Sequence, residues 1–166
     1  IARAVNAEKA VYAENFDVHE ACGRVLEQHV STAAKHGVRL VCEGNAQLHA
    51  DLVLFRQALS NLLVNAIRYS PRGSEVRIVV HTLAAGDVEI EVRDHGQGIA
   101  AEHLPHVFDR FYQADPARAP QGQGTGLGLA IVRSIMELHA GEVSLDSRPG
   151  RGTVARLRFP SNVSDA

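Results

Sequence analysis

The chain predicts an α+β two-layer sandwich: a mixed, mostly antiparallel sheet with about three helices on one face. Three observations predict it. Two long segments, His19–His36 and Asp51–Tyr69, carry apolar residues at helical spacing. Glu75–Thr82 with Val88–Arg93, and Glu142–Ser147 with Thr153–Arg158, read as paired strands joined by tight turns. Between these pairs, Gly122, Gly124, Gly126 and Gly128 fall at every second position, then yield to an apolar run that opens a third helix.

Taken in order, residues 1–15 carry only weak periodicity and read as a connector. Phe16-Asp17-Val18 reads as a short strand. The helix from His19 to His36 places Ala21, Val25, Val30 and Ala33 on one face and stops at Gly37. Val38–Cys42 alternates as a strand, Gly44-Asn45 turns the chain, and Asp51 caps the second helix. That helix buries Phe55, Leu59, Leu62 and Ala66 and ends at Ser70-Pro71-Arg72-Gly73. The first strand pair turns at Ala84-Ala85-Gly86-Asp87. A loop at Asp94–Gly98 then leads to a short helical piece ending near Phe111. From Gln113 to Gly124 little can pack, which suits a mobile lid. The third helix, Leu127–His139, is capped near Gly141, with His139 favourable to its dipole. The last two strands close the domain, which spans 16–160 and leaves 161–166 as a tail.

With 166 residues the chain forms one domain, able to bury around two-thirds of its unfolded surface. Its 45% apolar and 22% charged residues are ordinary for a soluble protein, and a net charge of -2 offers no field for nucleic acid. Cys22 and Cys42 have neither metal-ligand spacing nor a disulfide framework, and read as small, reduced core residues. No apolar stretch reaches membrane-spanning length and no signal peptide is visible. The chain begins mid-pattern at Ile1, as expected of a fragment of something longer.

Three groups of residues carry chemistry. The glycine loop Gly124-Thr125-Gly126-Leu127-Gly128-Leu129 ends in a helix N-terminus, whose free N–H groups and dipole suit phosphate. Asn61, Asn65 and Arg68 form a second stripe on the second helix. Asparagine is a poor mid-helix residue, and two stacked amides suit a hard cation such as Mg²⁺, with Arg68 forking onto its phosphates. A plain polar face on a surface helix fits the same stripe. Asp94-His95-Gly96-Gln97-Gly98 puts a carboxylate at a strand end, fit to accept from an exocyclic amine while the glycines admit a flat ring; an ordinary turn also reads this way. In His106–Tyr112, Phe108 and Phe111 read as core anchors for one end of the lid, leaving Arg110 facing out for phosphate.

The order Asn61…Asn65, Asp94-x-Gly96-x-Gly98, Phe108-Asp109-Arg110-Phe111 and Gly124-Thr125-Gly126-Leu127-Gly128-Leu129 resembles the N, G1, F and G2 boxes of sensor histidine kinase catalytic domains. His139–Val143 and Ser147–Thr153 resemble the strands that end them, so the likeness spans Phe16 to Pro160. It implies the Bergerat fold, shared with DNA gyrase B, MutL and Hsp90, and ATP with Mg²⁺ as its ligands. By the same resemblance Asp94 meets the adenine amine, helped by Thr153 through water. Asn65 and Asn61 hold Mg²⁺, Arg68 and Arg110 meet the phosphates, and Tyr69 lies against the adenosine. Gly96, Gly98, Ile99 and Phe108 line the pocket, and Gly124–Gly128 with Leu129 closes over the nucleotide. Phe111–Arg118 looks most like metal-responsive sensor kinases. Two departures are mild: Arg68 stands where lysine is commoner, and Gln123 where a glycine often precedes Gly124.

Hydrolysing relatives resemble each other in a glutamate one turn before the Mg²⁺ asparagine, a general base for water. Asn61 stands there instead, so the resemblance implies γ-phosphate transfer to another nucleophile, with Asn61, Arg68 and Arg110 as the catalytic set. The family's acceptor histidine lies in a His-Glu-x-x-x-Pro setting. His19-Glu20 lacks the proline, so the acceptor is expected on a separate, dimeric helical hairpin, with a response regulator receiving the phosphate onward. The fragment is expected to be a monomeric cytoplasmic domain of a parent anchored in the bacterial inner membrane. Two alternatives share the fold: a regulatory docking module without kinase activity, and an anti-sigma-type protein kinase, which normally keeps the glutamate.

Overall fold

The computed structural model describes residues 11–113 and 128–161. Its elements are β1 Ala13–Asp17, α1 Val18–Lys35, β2 Arg39–Glu43, β3 Gln47–Asp51, α2 Leu52–Tyr69, β4 Glu75–Thr82 and β5 Val88–Arg93. A 3₁₀ turn at Leu104–His106, α3 Gly128–Leu138, β6 Glu142–Ser147 and β7 Thr153–Phe159 complete them.

Five strands form one sheet in the order β2-β4-β5-β7-β6; β2 runs parallel to β4 and the other pairs are antiparallel. The mixed, mostly antiparallel sheet is therefore as expected. Ile78, Val80, Ile90, Val92, Ala155 and Leu157 point from it into one core with Val25 of α1, Phe55, Leu59 and Leu63 of α2, and Val132 and Met136 of α3. Alternation along each strand sends the intervening residues to the other face. There Glu91 lies between Arg93 and Arg156, bonded to both, so a charged layer covers the apolar one.

β1 and β3 form a separate antiparallel ribbon with Phe16 opposite Leu48. Sequence periodicity misses β3, because Gln47–Asp51 is short and its partner lies across α1 in the chain. β1 also begins at Ala13, inside the expected connector, and Val18 opens α1 instead of ending the strand. Asp17 caps α1, its carboxylate accepting from the Glu20 N–H at 2.8 Å. Val30 corrects the predicted core face: it is 56% exposed, while Val18 and Cys22 are fully buried. Val30 lies off the face that carries Val18, Cys22, Val25 and Ala33, so it meets solvent while Ala33, one turn on, stays buried.

α2 matches its expected span, with Asp51 as its cap and Phe55, Leu59, Leu62 and Ala66 buried. Antiparallel β5 and β7 bring Arg93 opposite Val154, so the end of β5 and the start of β7 leave the sheet side by side. The carboxyl end of α2 packs against the loop that follows β5, where Gly96 meets the Tyr69 carbonyl.

Candidate functional site

Asp94 is held from two directions. Its Oδ1 accepts from the Gly96 N–H at 2.9 Å and from the Thr153 N–H at 3.1 Å. Oδ2 has no hydrogen-bond partner among the described residues. Burial pushes the Asp94 carboxyl above its ordinary value, and the two backbone donors offset only part of that. A half-buried carboxylate with one oxygen fixed and the other unspent suits a neutral donor such as an exocyclic amine.

The loop carrying Asp94 is knitted to the β6–β7 turn. Gln97 O accepts from Gly150 N at 2.7 Å, and Asp94 N donates to Thr153 O at 2.9 Å. Gly98 has φ 74° and passes so close to the Arg148 carbonyl that any Cβ would collide with it. A Cβ on Gly96 would stand 2.6 Å from Tyr69 O, so no side chain fits between α2 and the loop. The glycines therefore permit backbone contact within the protein as well as beside a ring.

Ser147, which sequence reasoning left unassigned, organises this contact. Its buried hydroxyl accepts from Ile99 N–H at 2.8 Å, donates to Gly152 O at 3.0 Å and meets the Thr153 hydroxyl at 2.7 Å. Thr153 thus reaches Asp94 directly through its backbone, while its hydroxyl is oriented by Ser147. A serine at a strand end before Arg-Pro-Gly reads only as the start of a turn; the contact that gives it a role spans Ile99 to Ser147 and exists only in three dimensions.

α2 presents the second part of the site. Asn61, Asn65 and Arg68 are half-buried, not on an open polar face. Asn61 Nδ2 donates to Gly128 O, the first residue of α3, at 3.4 Å. Asn65 makes no hydrogen bond to the described residues. Arg68 Nε is buried without a partner, a cost that a bound anion would relieve. Unspent amide oxygens beside an unpaired guanidinium fit a phosphate-bound hard cation, so the donor set suits Mg-nucleotide. Tyr69, at the end of the same helix, is 45% exposed beside the Asp94 loop.

The segment before the glycine loop corrects one expectation. Phe111 is 72% exposed with φ 64°, so it anchors nothing in the core. The left-handed backbone there turns its ring off the domain, and Val107, which is buried, holds the segment down, with Phe108 only partly covered. Tyr112 is tied instead through its hydroxyl to His103 Nδ1 at 2.5 Å. The expected short helix is the 3₁₀ turn Leu104–His106. Arg110 is exposed as anticipated. Apart from Gln113, the expected lid, with Gly124, Thr125, Gly126 and Leu127, lies outside the described residues; Gly128 and Leu129 open α3.

A family model described as "Histidine kinase-, DNA gyrase B-, and HSP90-like ATPase" matches residues 50–163, from the cap of α2 to beyond β7. The chain belongs to this ATPase family. Its relatives place it with the catalytic, ATP-binding domains of sensor histidine kinases. The sensor protein IrlS of Burkholderia pseudomallei is 42% identical over 164 residues, 99% of this chain and 35% of that protein. The sensor histidine kinase CusS of Escherichia coli is 38% identical over 162 residues, 97% of this chain and 33% of CusS. The chain thus spans about a third of the length of these relatives. Among solved structures, the mycobacterial sensor histidine kinase MprB superposes with a TM-score of 0.75 at 28% identity, covering 89% of this chain and 97% of that one. Full-length ShkA in complex with AMPPNP gives 0.81 at 25% identity, covering 91% of this chain and 31% of ShkA. Among the described residues no helix is long and apolar enough to cross a membrane.

Proposed function

We propose that this chain binds Mg-ATP between α2 and the Asp94 loop and presents the γ-phosphate to a histidine on a separate helical hairpin of its parent kinase. The observation that carries the reading is Asp94, tied at one oxygen and unspent at the other, one loop away from the unpaired Arg68. In this reading Asp94 accepts from the adenine amine, with Gly96, Gly98, Ile99, Phe108, Tyr69 and Thr153 around the base and sugar. Asn65 and Asn61 hold the cation, and Arg68 and Arg110 neutralise the phosphates. Mg²⁺, when bound, screens the charge of the β- and γ-phosphates and so favours attack at phosphorus.

The chain's own task is positioning. Asn61 cannot take a proton from water near neutral pH, so hydrolysis lacks its base and the phosphate is kept for an incoming imidazole. That absent carboxylate favours the kinase over a stand-alone ATPase. The remaining proposals follow from the same reading: a dimeric acceptor hairpin, a response regulator receiving the phosphate, a cytoplasmic position on a membrane-anchored parent, a monomeric fragment, and domain bounds of 16–160. The wording of Phe111–Arg118 supports a parent of the metal-responsive subgroup.

Calorimetric titration with a non-hydrolysable ATP analogue, with and without Mg²⁺, tests this. Saturable binding that needs both Mg²⁺ and Asp94 is expected. A folded domain that gives no heat would leave the four motifs as architecture and favour the docking module.

A further inference from the structure

Sequence spacing separates Cys22 from Cys42, but α1 packs on β2, and His19, one turn before Cys22 on the same helix, reaches Cys42. Cys22 is fully buried on α1 and Cys42 partly exposed on β2, the edge strand of the main sheet. His19 Nδ1 lies 3.0 Å from the Gly44 carbonyl and 3.7 Å from Cys42 Sγ. A carbonyl oxygen only accepts, so Nδ1 carries the proton and shares it with the sulfur. A ring N–H aimed at sulfur favours the thiolate, the form that attacks peroxides and disulfides.

We propose that Cys22 and Cys42 form an oxidation site, in which Cys42 reacts with a peroxide and Cys22 resolves the product into a disulfide joining α1 to β2. In the first step the Cys42 thiolate attacks hydrogen peroxide, the O–O bond breaks, and Cys42 becomes a sulfenic acid as hydroxide leaves and takes a proton. In the second the Cys22 sulfur displaces hydroxide from Cys42, giving the disulfide and a second water as the Cys22 proton departs. Both sulfurs are oxidised and the peroxide is reduced; any thiol reductant reverses the change.

The electrostatics of the pair agree with this order. The thiol of Cys22 is the first cause holding Cys42 down to about 7, against burial and Glu43, with His19 helping. Cys22 itself is pushed up by Cys42 and by burial, so it keeps its proton until the sulfenic acid forms. The chemistry sits apart from the nucleotide residues: Cys22 is on α1 and Cys42 on β2, while Asn61, Asn65 and Arg68 are on α2 and Asp94 follows β5.

The test is oxidation of the folded chain with hydrogen peroxide, followed by denaturation, alkylation and peptide mass analysis. Wild type should lose two hydrogens in mass and both alkylatable thiols, yield a cross-linked peptide joining Cys22 to Cys42, and recover on reduction. Cys22→Ala should stop at a sulfenic acid on Cys42 that dimedone captures, and Cys42→Ser, at the less buried position, should give neither product. His19→Ala should slow iodoacetamide labelling of Cys42 about tenfold at neutral pH. Thiols that stay free while glutathione in the same tube is consumed would overturn the proposal. So would a disulfide formed only between two chains. Neither result bears on nucleotide binding, which the calorimetry reads separately.

Discussion

His139 at the end of α3 accepts the backbone N–H of Asp51, the cap of α2, at 3.1 Å through Nε2. Its Nδ1 donates to the Ile135 carbonyl at 2.8 Å, so the ring is a neutral bridge and not the charged helix-end residue that its position suggested. Asp51 in turn caps Leu54 N–H with Oδ1 and takes the Tyr12 N–H with Oδ2. α3 therefore meets α2 at two fixed points, Asp51 and Asn61, about 15 Å apart along the helix. The second contact lies where the glycine loop enters α3, so His139 helps to set the angle at which that entry faces Asn61.

Replacing His139 with alanine leaves the buried Asp51 N–H without an acceptor and removes an edge contact to Phe159 at 5.5 Å. A loss of about 2–4 kcal/mol is expected from the two effects. His139→Phe keeps the ring but not the acceptor, and should recover only part of it. Thermal melts of the three proteins measure both; equal melting temperatures would mean the bridge adds nothing.

Asp94→Asn separates binding from stability. The Asn oxygen still accepts from Gly96 and Thr153, but an NH₂ replaces the unspent carboxylate oxygen and meets the adenine amine donor to donor. ATP-analogue affinity should fall about a hundredfold or more, while the melting temperature stays level or rises, because a buried charge has gone. A parallel loss of both would make Asp94 a structural residue.

The pH response follows from the same carboxyl. Its folded pKa lies above the ordinary 3.8, so the folded state holds its proton more tightly than the unfolded chain. Stability from this group is therefore lost as pH rises from 3.8 to the folded value, and Asp94→Asn should flatten that part of the curve. Nucleotide affinity runs the other way, weakening as pH falls through the raised value. Melting and titration series across mildly acidic pH give the two slopes, and slopes of the same sign would contradict the assignment.

Ser147→Ala strands Ile99 N–H and frees the Thr153 hydroxyl. About 1–3 kcal/mol of stability should go, and analogue affinity should drop roughly tenfold as the Asp94 loop loosens. Ser147→Thr, which retains the hydroxyl, should restore affinity more than stability. Unchanged affinity in the alanine variant would confine Ser147 to the turn.

On α2, Asn65→Ala should abolish Mg²⁺-dependent binding, whereas Asn61→Asp and Asn61→Glu should retain it. Asn61→Glu also restores a base where hydrolysing relatives place theirs, so phosphate release from ATP should rise above the wild-type rate. If Asn65→Ala binds as wild type does, the cation is held elsewhere.

Much of this molecule is written locally. α2, β4, β5 and β6 have the predicted bounds because each carries its own periodicity and stop signal, from Asp51 as cap to Pro71-Arg72-Gly73 as terminator. The four boxes are equally local, which is why the family could be read from them and why the Asn61 substitution could be weighed. What needed the fold were pairings between distant segments whose single members look ordinary: Gln47–Asp51 became a strand only beside Ala13–Asp17. Ser147 became a clamp only beneath Ile99, and His139 a neutral acceptor only against the α2 cap. Phe111 shows the converse, an apolar residue that periodic reasoning buries and a positive φ sends outward. Helical and strand periods report which face a residue occupies, whereas the partner it meets across that face depends on how layers pack, and only the assembled core decides that.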